Sequence, residues 1–253
     1  MVPPMRSIGP ILLFTTIFFL CLGAGGRALA QRNTLPIVFE EYPPYEFVED
    51  GEVKGINMDI IREAFRRMGI TPFFEPRPWN RGIYQLKTGE ILALSSGFKT
   101  KKRQLFAYFP DTPLALETNM VITRSDRDIS VKSLEDLRPL HIGVVRGYAY
   151  GTEFDSMRGL NIIEAQSAHQ LLLMLLNDRM DVAICNQAVF KYIARNEEAL
   201  DKIRFVFEVS REPLYLMFSR AHGSRARQLA NDFGTVVRQM VKDGTFADIE
   251  AQY

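Results

Sequence analysis

From residue 35 to the C-terminus, strand-like segments alternate with helix-like segments, and this alternation is the strongest constraint on the fold. Residues 35–39, 70–74 and 91–94 are short apolar runs typical of buried strands. Residues 56–68 carry apolar side chains at intervals of three and four, which predicts an amphipathic helix, and residues 79–86 predict a shorter one. This order indicates an α/β fold, in which helices pack against a sheet.

The same order returns in the middle of the chain. The predicted elements are a strand at 140–145, a helix at 149–157, a strand at 160–164, a helix at 168–177, a strand at 181–185, a helix at 187–196, a strand at 203–207, a strand at 214–219 and a helix at 224–242. Each series is roughly 80–100 residues long, which is enough for a small α/β lobe. The sequence therefore predicts two such lobes in one chain.

The first 30 residues differ from the rest and predict a signal peptide. Arg6 is the only charge before the apolar run from Ile11 to Leu22, which has the length of a signal-peptide core and is short for a membrane span. Ala28-Leu29-Ala30 fits the small-x-small cleavage pattern and makes Gln31 the new N-terminus. An uncleaved N-terminal anchor is the alternative.

Composition excludes several classes of protein once the presequence is removed. The chain of 253 residues has 31 Lys and Arg against 30 Asp and Glu. Because two of the basic residues and none of the acidic ones lie in the presequence, the mature chain carries a net charge of −1 and has no bulk attraction to nucleic acid. One of the two cysteines also leaves, so Cys185 has no partner for an intramolecular disulfide, and the hydrophobic core must hold the fold.

A series of short motifs runs along residues 35–253. In chain order they are Tyr42-Pro43-Pro44-Tyr45, Gly51, Gly55 to Ile60, Trp79, Leu86 to Gly89, Thr100 to Arg103, Phe109-Pro110-Asp111, Ser133 to Leu137, Ile142 to Gly147, Asp178 to Asp181 and Asp243-Gly244-Thr245. In their order and spacing these motifs resemble the periplasmic solute-binding proteins of ABC transporters. The resemblance is to the polar amino-acid-binding group, solute-binding protein family 3.

The resemblance implies the two-lobe periplasmic binding protein fold, in which two hinge crossings join the lobes around an interlobe ligand cleft. Lobe 1 would consist of residues 31–118 and 214–253, and lobe 2 of residues 119–213. The crossings are expected near residues 116–121 and 209–214. Ligands of open α/β sheets bind beyond the carboxyl ends of the strands, so the cleft between the lobes is the expected site.

Arg103 is the first candidate ligand-binding residue in lobe 1. The spacing from Thr100 to Arg103 matches the position at which the family grips the ligand carboxylate, and a guanidinium offers a planar fork that fits a carboxylate. The alternative is a solvated basic run that begins at Lys99. The preceding strand end adds three candidates with backbone or hydroxyl groups, Ser95, Ser96 and Gly97. A polar strand end without a ligand is the alternative for these three, and which of them faces the ligand stays open.

Two aromatic residues of lobe 1 match family positions that sandwich the ligand side chain. They are Tyr42 and Trp79, and an aromatic face offers apolar area and, to a cationic ligand, a cation–π contact. Core packing is the alternative for both. Arg81, shortly after Trp79, is a second candidate for contact with an anionic group.

Lobe 2 departs from the family pattern where it is expected to meet the ligand. Gly147 is followed by Tyr148 and Ala149, where the family carries small hydroxyl residues, although backbone N–H groups at a helix N-terminus can still bind an anion. Asn186 stands where the family has an aspartate that pairs with the ligand ammonium group. Arg103 would then face no obvious carboxylate in the cleft, so we expect a ligand of net negative or neutral charge, a small carboxylate or an atypical amino acid.

The expected function is that of an extracytoplasmic solute-binding protein. It would capture a small polar ligand, an amino acid or related carboxylate, by lobe closure in the periplasm and deliver it to an ABC transporter permease. We expect a monomer whose partners are that ligand and the permease, with no nucleic acid, no cofactor and no metal.

Two other functions are weighed against this one. A ligand-presenting sensor component for a membrane receptor is the main alternative. A dehydratase-like enzyme on the same fold is less favoured, since His141, His169 and His222 lie away from Arg103 in the predicted map and no catalytic motif is present.

Overall fold

The computed structural model describes Met1 and residues 34–253. The predicted signal peptide and its cleavage site lie outside the described residues, apart from Met1. Within the described part of the chain, no helix combines the length and the apolar character needed to cross a membrane.

The first half of the described chain contains the predicted strands and helices, together with short elements that the sequence did not indicate. In order they are β1 (Thr34–Phe39), β2 (Phe47–Glu49), β3 (Glu52–Lys54), α1 (Ile56–Arg67), β4 (Thr71–Pro76), α2 (Trp79–Thr88), β5 (Ala93–Phe98), α3 (Lys101–Gln104), β6 (Ala107–Tyr108) and β7 (Ala115–Arg124). The additional short elements are the hairpin of β2 and β3, the single turn of α3 and the two-residue strand β6. The ten-residue strand β7 was not among the predicted strands either.

The second half follows the predicted order closely. Its elements are β8 (His141–Val145), α4 (Thr152–Ser156), β9 (Asn161–Ala165), α5 (Ala168–Leu176), β10 (Val182–Asn186), α6 (Gln187–Asn196), β11 (Ile203–Ser219), α7 (Gly223–Lys242) and α8 (Thr245–Glu250). Helix α4 begins three residues later than the pattern predicted.

The sheet order is β4-β1-β5-β11-β7-β10-β8-β9, with β6 paired to β11. Strand β1 lies parallel to β4 and β5, and β8 lies parallel to β9 and β10. Strands β7 and β11 are antiparallel to each other and to their outer neighbours β10 and β5. Two parallel groups, one in each lobe, are therefore connected through a pair of antiparallel strands.

The sequence predicted separate strands at 203–207 and 214–219, and this was wrong. One strand of 17 residues, β11, runs through both segments and pairs with β7 from Ile203 opposite Arg124 to Leu214 opposite Ala115. The ladder has two register shifts, between Phe205 and Phe207 and between Glu208 and Ser210. The expected crossings at 116–121 and 209–214 fall on this ribbon, and the lobe boundaries at 118 and 213 stay a prediction.

Helices cover the sheet in each lobe through apolar packing. In lobe 1, α1 and α7 pack on the sheet, and the rings of Phe65 and Phe233 lie 5.2 Å apart, both fully buried. In lobe 2, α5 and α6 cover the sheet through buried side chains such as Leu172 and Phe190. Full burial of a side chain of this size contributes about 1.5–3 kcal/mol, so these helices are held by packing more than by helix propensity.

A tight turn between β1 and β2 places the first residues of the site. The Tyr45 amide N–H donates to the Tyr42 carbonyl at 2.9 Å, and the Asn57 amide N–H donates to the Tyr45 carbonyl at 3.0 Å. Gly55 makes this approach possible, because a Cβ there would lie 2.3 Å from the Tyr45 carbonyl oxygen and the Gly55 φ of 119° disfavours other residues. The turn holds Tyr42 and Glu46 at the edge where β1 ends.

Candidate functional site

A small cavity lies at the carboxyl ends of β1 and β5, where these strands face the loop after β8. It is lined by Glu40, Tyr42, Glu46, Trp79, Ser95, Ser96, Gly97, Phe98, Arg103, Glu117, Tyr148, Ala149 and Leu214. The volume open to the centre of a water molecule is about 40 Å³. At roughly 10–15 Å³ for each water centre, this is room for about three water molecules.

A larger groove of about 1150 Å³ opens beside this cavity. Residues of α2 and α3 form one wall, and the segment after β8 together with α4 forms the other. Arg103, Tyr148 and Ala149 line both spaces, so these three residues form the partition between the cavity and the groove.

The structure brings most of the predicted site residues together. Eight of the twelve line the cavity, namely Tyr42, Trp79, Ser95, Ser96, Gly97, Arg103, Tyr148 and Ala149. Thr100 and Gly147 line only the groove. Arg81 is exposed on α2 and, like Asn186, lines neither space.

Arg103 enters the site from the short helix α3. The Thr100 hydroxyl caps this helix by accepting the Arg103 backbone N–H at 3.1 Å. The guanidinium Nη1 donates to the Phe98 carbonyl at 3.2 Å, and Nη2 is 3.4 Å from the Gly147 carbonyl. The Cζ atom lies 4.9 Å from the Trp79 ring centroid, in cation–π geometry. Backbone and aromatic contacts therefore fix the guanidinium in place.

The charge on Arg103 has no counter-ion in the part of the chain that the structure describes. The residue is 8% exposed, and no described carboxylate lies within 4.0 Å of it. Burial lowers the pKa of Arg103 to about 10, so the side chain remains charged at neutral pH. A buried and unpaired charge is costly, and an anionic group in the cavity would relieve that cost.

The cavity also contains three carboxylates that the sequence analysis missed, Glu40, Glu46 and Glu117. The expectation that Arg103 faces no carboxylate in the cleft was therefore wrong. Glu46 is buried and already satisfied, because Oε1 accepts from Asn57 Nδ2 and from Ser95 Oγ, both at 2.8 Å. Burial raises the pKa of Glu46 in spite of these hydrogen bonds.

Glu117 reaches the cavity from β7, on the ribbon that connects the lobes. It is 4% exposed, and no basic side chain lies within 4.0 Å of it among residues 34–253. Burial raises the pKa of Glu117 to about 7, although polar contacts with Tyr42, Asn186 and Asn119 and the attraction of Arg103 act in the opposite direction. The cavity thus presents one unpaired cation and one unpaired acid.

Glu40 follows β1 directly and is engaged by two donors. Its Oε2 accepts from the Tyr148 hydroxyl at 2.6 Å, and its Oε1 accepts from the Trp79 backbone N–H at 3.2 Å. Burial raises the pKa of Glu40 to about 7, and these two hydrogen bonds lower it in part. Tyr148 belongs to the segment after β8, so its bond to Glu40 joins the two lobes.

Asn186 does not act as the sequence predicted. It is the N-cap of α6, and its Oδ1 accepts from the Val189 backbone N–H at 3.0 Å. The oxygen at the position where the family has its ammonium-pairing aspartate is therefore used inside lobe 2. The Nδ2 atom has no hydrogen-bond partner among the described residues, although it lies near enough to Glu117 to lower the pKa of that carboxyl.

The backbone after β8 also differs from the expected anion site. Helix α4 begins only at Thr152, and the Tyr148 N–H donates to the Val145 carbonyl at 3.2 Å. The Gly147 peptide turns its carbonyl toward lobe 1, where it accepts from Trp79 Nε1 at 2.9 Å. The exposed Arg146 side chain pairs with Glu164 and does not line the cavity. This segment contributes acceptors and the Tyr148 ring where N–H donors were expected.

The interlobe contacts show a closed cleft. Trp79 Nε1 reaches the Gly147 carbonyl, Asn80 Nδ2 is 3.3 Å from the Arg146 carbonyl, and the Tyr148 hydroxyl reaches Glu40. Trp79 is the only tryptophan of the chain, so its indole reports on closure.

The two raised carboxyl pKa values predict how the stability of the ligand-free protein depends on pH. The folded state holds protons on Glu40 and Glu117 up to a pKa of about 7, against ordinary values of 4.5. Their stabilising contribution is therefore complete below pH 4.5 and is lost as the pH rises to about 7.

The measurement is urea unfolding at several pH values between about 5 and 8. Between these limits the unfolding free energy of the wild type is expected to fall by roughly 5 kcal/mol more than that of the variant Glu40→Gln/Glu117→Gln, with about half of the difference from each carboxyl group. Equal pH slopes for the two proteins would contradict the raised pKa values.

Comparison with known proteins agrees with this geometry. The family model of bacterial extracellular solute-binding proteins, family 3, matches residues 37–253. An arginine-binding periplasmic protein of Mannheimia haemolytica is 25% identical over 245 residues, which cover 92% of this chain and 94% of that protein. These similar proteins are binding proteins and not enzymes.

Solved structures confirm the predicted fold. A histidine kinase sensor domain with similarity to periplasmic binding proteins superposes with a TM-score of 0.79 and 22% identity, over 88% of this chain and 96% of that chain. An ancestral arginine-binding protein bound to arginine gives a TM-score of 0.76 and 23% identity, over 88% of this chain and 98% of that one. Both share the two-lobe periplasmic binding protein architecture of this chain.

Proposed function

Because the chain belongs to family 3 of the bacterial extracellular solute-binding proteins, we propose that it captures a single α-amino acid between its lobes and delivers it to the permease of an ABC transporter. Capture would occur in the periplasm, after the signal peptide has been removed. The protein would act as a monomer.

One observation carries the proposal. Arg103 and Glu117 line the same cavity, both are buried, and within residues 34–253 neither is paired with an opposite charge. An α-amino acid has a carboxylate and an ammonium group on one carbon, so a single molecule can satisfy both side chains. The carboxylate would meet the Arg103 fork, and the ammonium group would meet the Glu117 carboxylate.

The polar groups beside Arg103 support this orientation. Ser96 and Gly97 line the cavity at the end of β5, the strand that also supplies the Phe98 carbonyl to Arg103. The Ser96 hydroxyl and the backbone there would complete the shell around the ligand carboxylate. Ser95 is already engaged with Glu46 and serves to hold that acid in place.

The three carboxylates of the cavity also narrow the range of ligand charge that was expected from the sequence. A ligand of net negative or neutral charge was expected, partly because no acid was foreseen beside Arg103. With Glu40, Glu46 and Glu117 in the wall, a dianionic organic acid would meet repulsion, whereas a zwitterion would not. The proposed ligand is therefore an amino acid that carries a free ammonium group.

Closure supplies the mechanism. Arg103 and Trp79 stand on lobe 1, Tyr148 stands on lobe 2, and the β7–β11 ribbon connects the two. A ligand shifts the protein toward the closed form only through contacts that the open form lacks. The permease would recognise the closed arrangement of the two lobes.

The experiment is isothermal titration of the purified mature protein with the twenty standard amino acids. The best ligand is then compared with its N-acetyl and its carboxamide derivative, each of which lacks one of the two charges. We expect each derivative to bind at least about 30-fold more weakly, because it leaves one buried charge unpaired. If the N-acetyl derivative or a simple organic acid bound as tightly, the assignment of Glu117 would be wrong.

A sensor component remains the second candidate, and the histidine kinase sensor domain of TM-score 0.79 is the observation in its favour. Uptake of the radiolabelled ligand by a deletion strain separates the two. Loss of uptake supports delivery to a permease, whereas normal uptake with a lost transcriptional response supports the sensor.

A further inference from the structure

Tyr148 fills part of the space that a ligand in this cavity would otherwise enter. Its ring makes edge contacts with Tyr42 and Trp79, at centroid distances of 6.0 and 5.9 Å. Tyr42 and Trp79 belong to lobe 1 and Tyr148 to the segment after β8, so the closed cleft is packed with the protein's own aromatic side chain. The ring lies on the side of the cavity that leads to the groove.

The Tyr148 hydroxyl is hydrogen-bonded to Glu40, the carboxylate that would otherwise be available to the cationic end of a long ligand. It donates to Glu40 Oε2 at 2.6 Å, while the other Glu40 oxygen accepts from the Trp79 backbone. Burial keeps the pKa of Tyr148 well above its ordinary value, so the phenol remains a hydrogen-bond donor at every physiological pH. Glu40 therefore has a partner without any ligand.

The space that remains is small. The volume open to water centres next to Arg103 and Glu117 is about 40 Å³, which is room for about three water molecules. Three water molecules take about 90 Å³ of liquid volume, which is close to the volume of a small amino acid, because its bonded atoms lie closer together than separate waters. The cavity therefore has room for the carboxylate, the ammonium group and a side chain of one or two heavy atoms. An arginine or lysine side chain would need the position of the Tyr148 ring.

We infer that Tyr148 determines which amino acid the closed protein accepts, because its ring takes the place of a ligand side chain and admits only small ones such as glycine, alanine or serine. The inference rests on the proposed amino-acid-binding function and names the ligand class within it. The Tyr148 hydroxyl and Glu40 together form one wall of the site.

The selection would take place at closure. Because Tyr148 is carried by lobe 2, it withdraws from Tyr42 and Trp79 when the lobes separate. A long amino acid can then touch lobe 1, but the lobes cannot close over it while the ring is present. The permease would therefore receive only the small ligands.

The test compares the wild type with Tyr148→Phe and Tyr148→Ala. Each protein is titrated with glycine, alanine, serine and arginine, and binding is measured by calorimetry and by the fluorescence of Trp79. The wild type is expected to bind the best small amino acid at least tenfold more tightly than arginine. In Tyr148→Ala the ratio of small-ligand to arginine affinity should fall at least tenfold, since the cavity opens and Glu40 is released. Tyr148→Phe keeps the ring, so its ratio should stay near that of the wild type.

Tyr84→Ala is the matched control, because Tyr84 is an exposed tyrosine that lines the groove and not the cavity. It should leave the ratio unchanged. A wild type that binds arginine as tightly as the small amino acids would overturn the role of Tyr148 and leave the amino-acid function standing. An unchanged ratio in Tyr148→Ala would overturn it as well. Absence of binding to all twenty amino acids would reject the proposed function and this inference with it.

Discussion

Replacement of Arg103 by methionine is expected to weaken amino-acid binding by at least about 100-fold, because the ligand carboxylate loses its buried partner. The free energy of unfolding of the ligand-free protein should change by less than about 1 kcal/mol. Methionine keeps much of the buried apolar volume, and the variant loses a buried cation that has no described counter-ion. Calorimetric titration and urea unfolding measure the two quantities.

Two further variants separate a binding role of Arg103 from a structural one. Arg103→Lys keeps the charge and loses the planar fork, so it should recover only part of the affinity. Lys101→Met removes a charge from the exposed side of the same helix and should leave the dissociation constant within about twofold. A large fall in unfolding free energy with nearly normal binding would assign Arg103 a structural role, which was the alternative at the level of sequence.

Replacement of Glu117 by glutamine is expected to weaken amino-acid binding at pH 8 by about 30- to 100-fold, since the ammonium group loses its anionic partner. The wild-type carboxyl has a pKa of about 7, so it is mostly ionised at pH 8 and mostly protonated at pH 5.5. Wild-type affinity should therefore fall by about tenfold for each pH unit below 7, whereas Glu117→Gln should bind weakly at every pH. Calorimetry across this range tests both statements.

Glu212 offers a control from the same ribbon. It stands opposite Glu117 in the β7–β11 ladder, yet it does not line the cavity. Glu212→Gln should keep the wild-type affinity and the wild-type pH dependence. If Glu212→Gln and Glu117→Gln behaved alike, the effect would come from the hinge and not from contact with the ligand.

The fold was predictable from the sequence to within a few residues for most helices and buried strands. The exceptions are β7, which was not predicted as a strand, and β11, whose middle has the polar sequence Glu208 to Glu212. There the ribbon runs between the lobes with little of its surface in a core, so the apolar periodicity disappears while the ladder to β7 continues. Hydrophobic pattern detects burial, and it cannot detect a strand that is held mainly by backbone hydrogen bonds.

Site residues that belong to a local sequence motif were predictable. Site residues that are defined only by their burial in the folded protein were not. The Thr100 to Arg103 spacing identified a helix cap and its arginine, both of which are observed. Glu40 and Glu117 were missed because a glutamate is ordinarily exposed, and only tertiary packing encloses these two. Asn186 was misjudged, although an asparagine before a predicted helix is also a common N-cap, and that signal was available.

The place of β11 in the sheet has a consequence for how the protein is made. The segment from Leu214 to Phe218 pairs with β5, and α7 then packs against α1. Ribosomes produce these pieces last, so the N-terminal strands cannot complete their core until almost the whole polypeptide exists. The elements from β8 to α6 are contiguous in the chain and can assemble earlier. For most of its synthesis, the N-terminal half of the nascent chain therefore lacks the strand and the helix that complete its core.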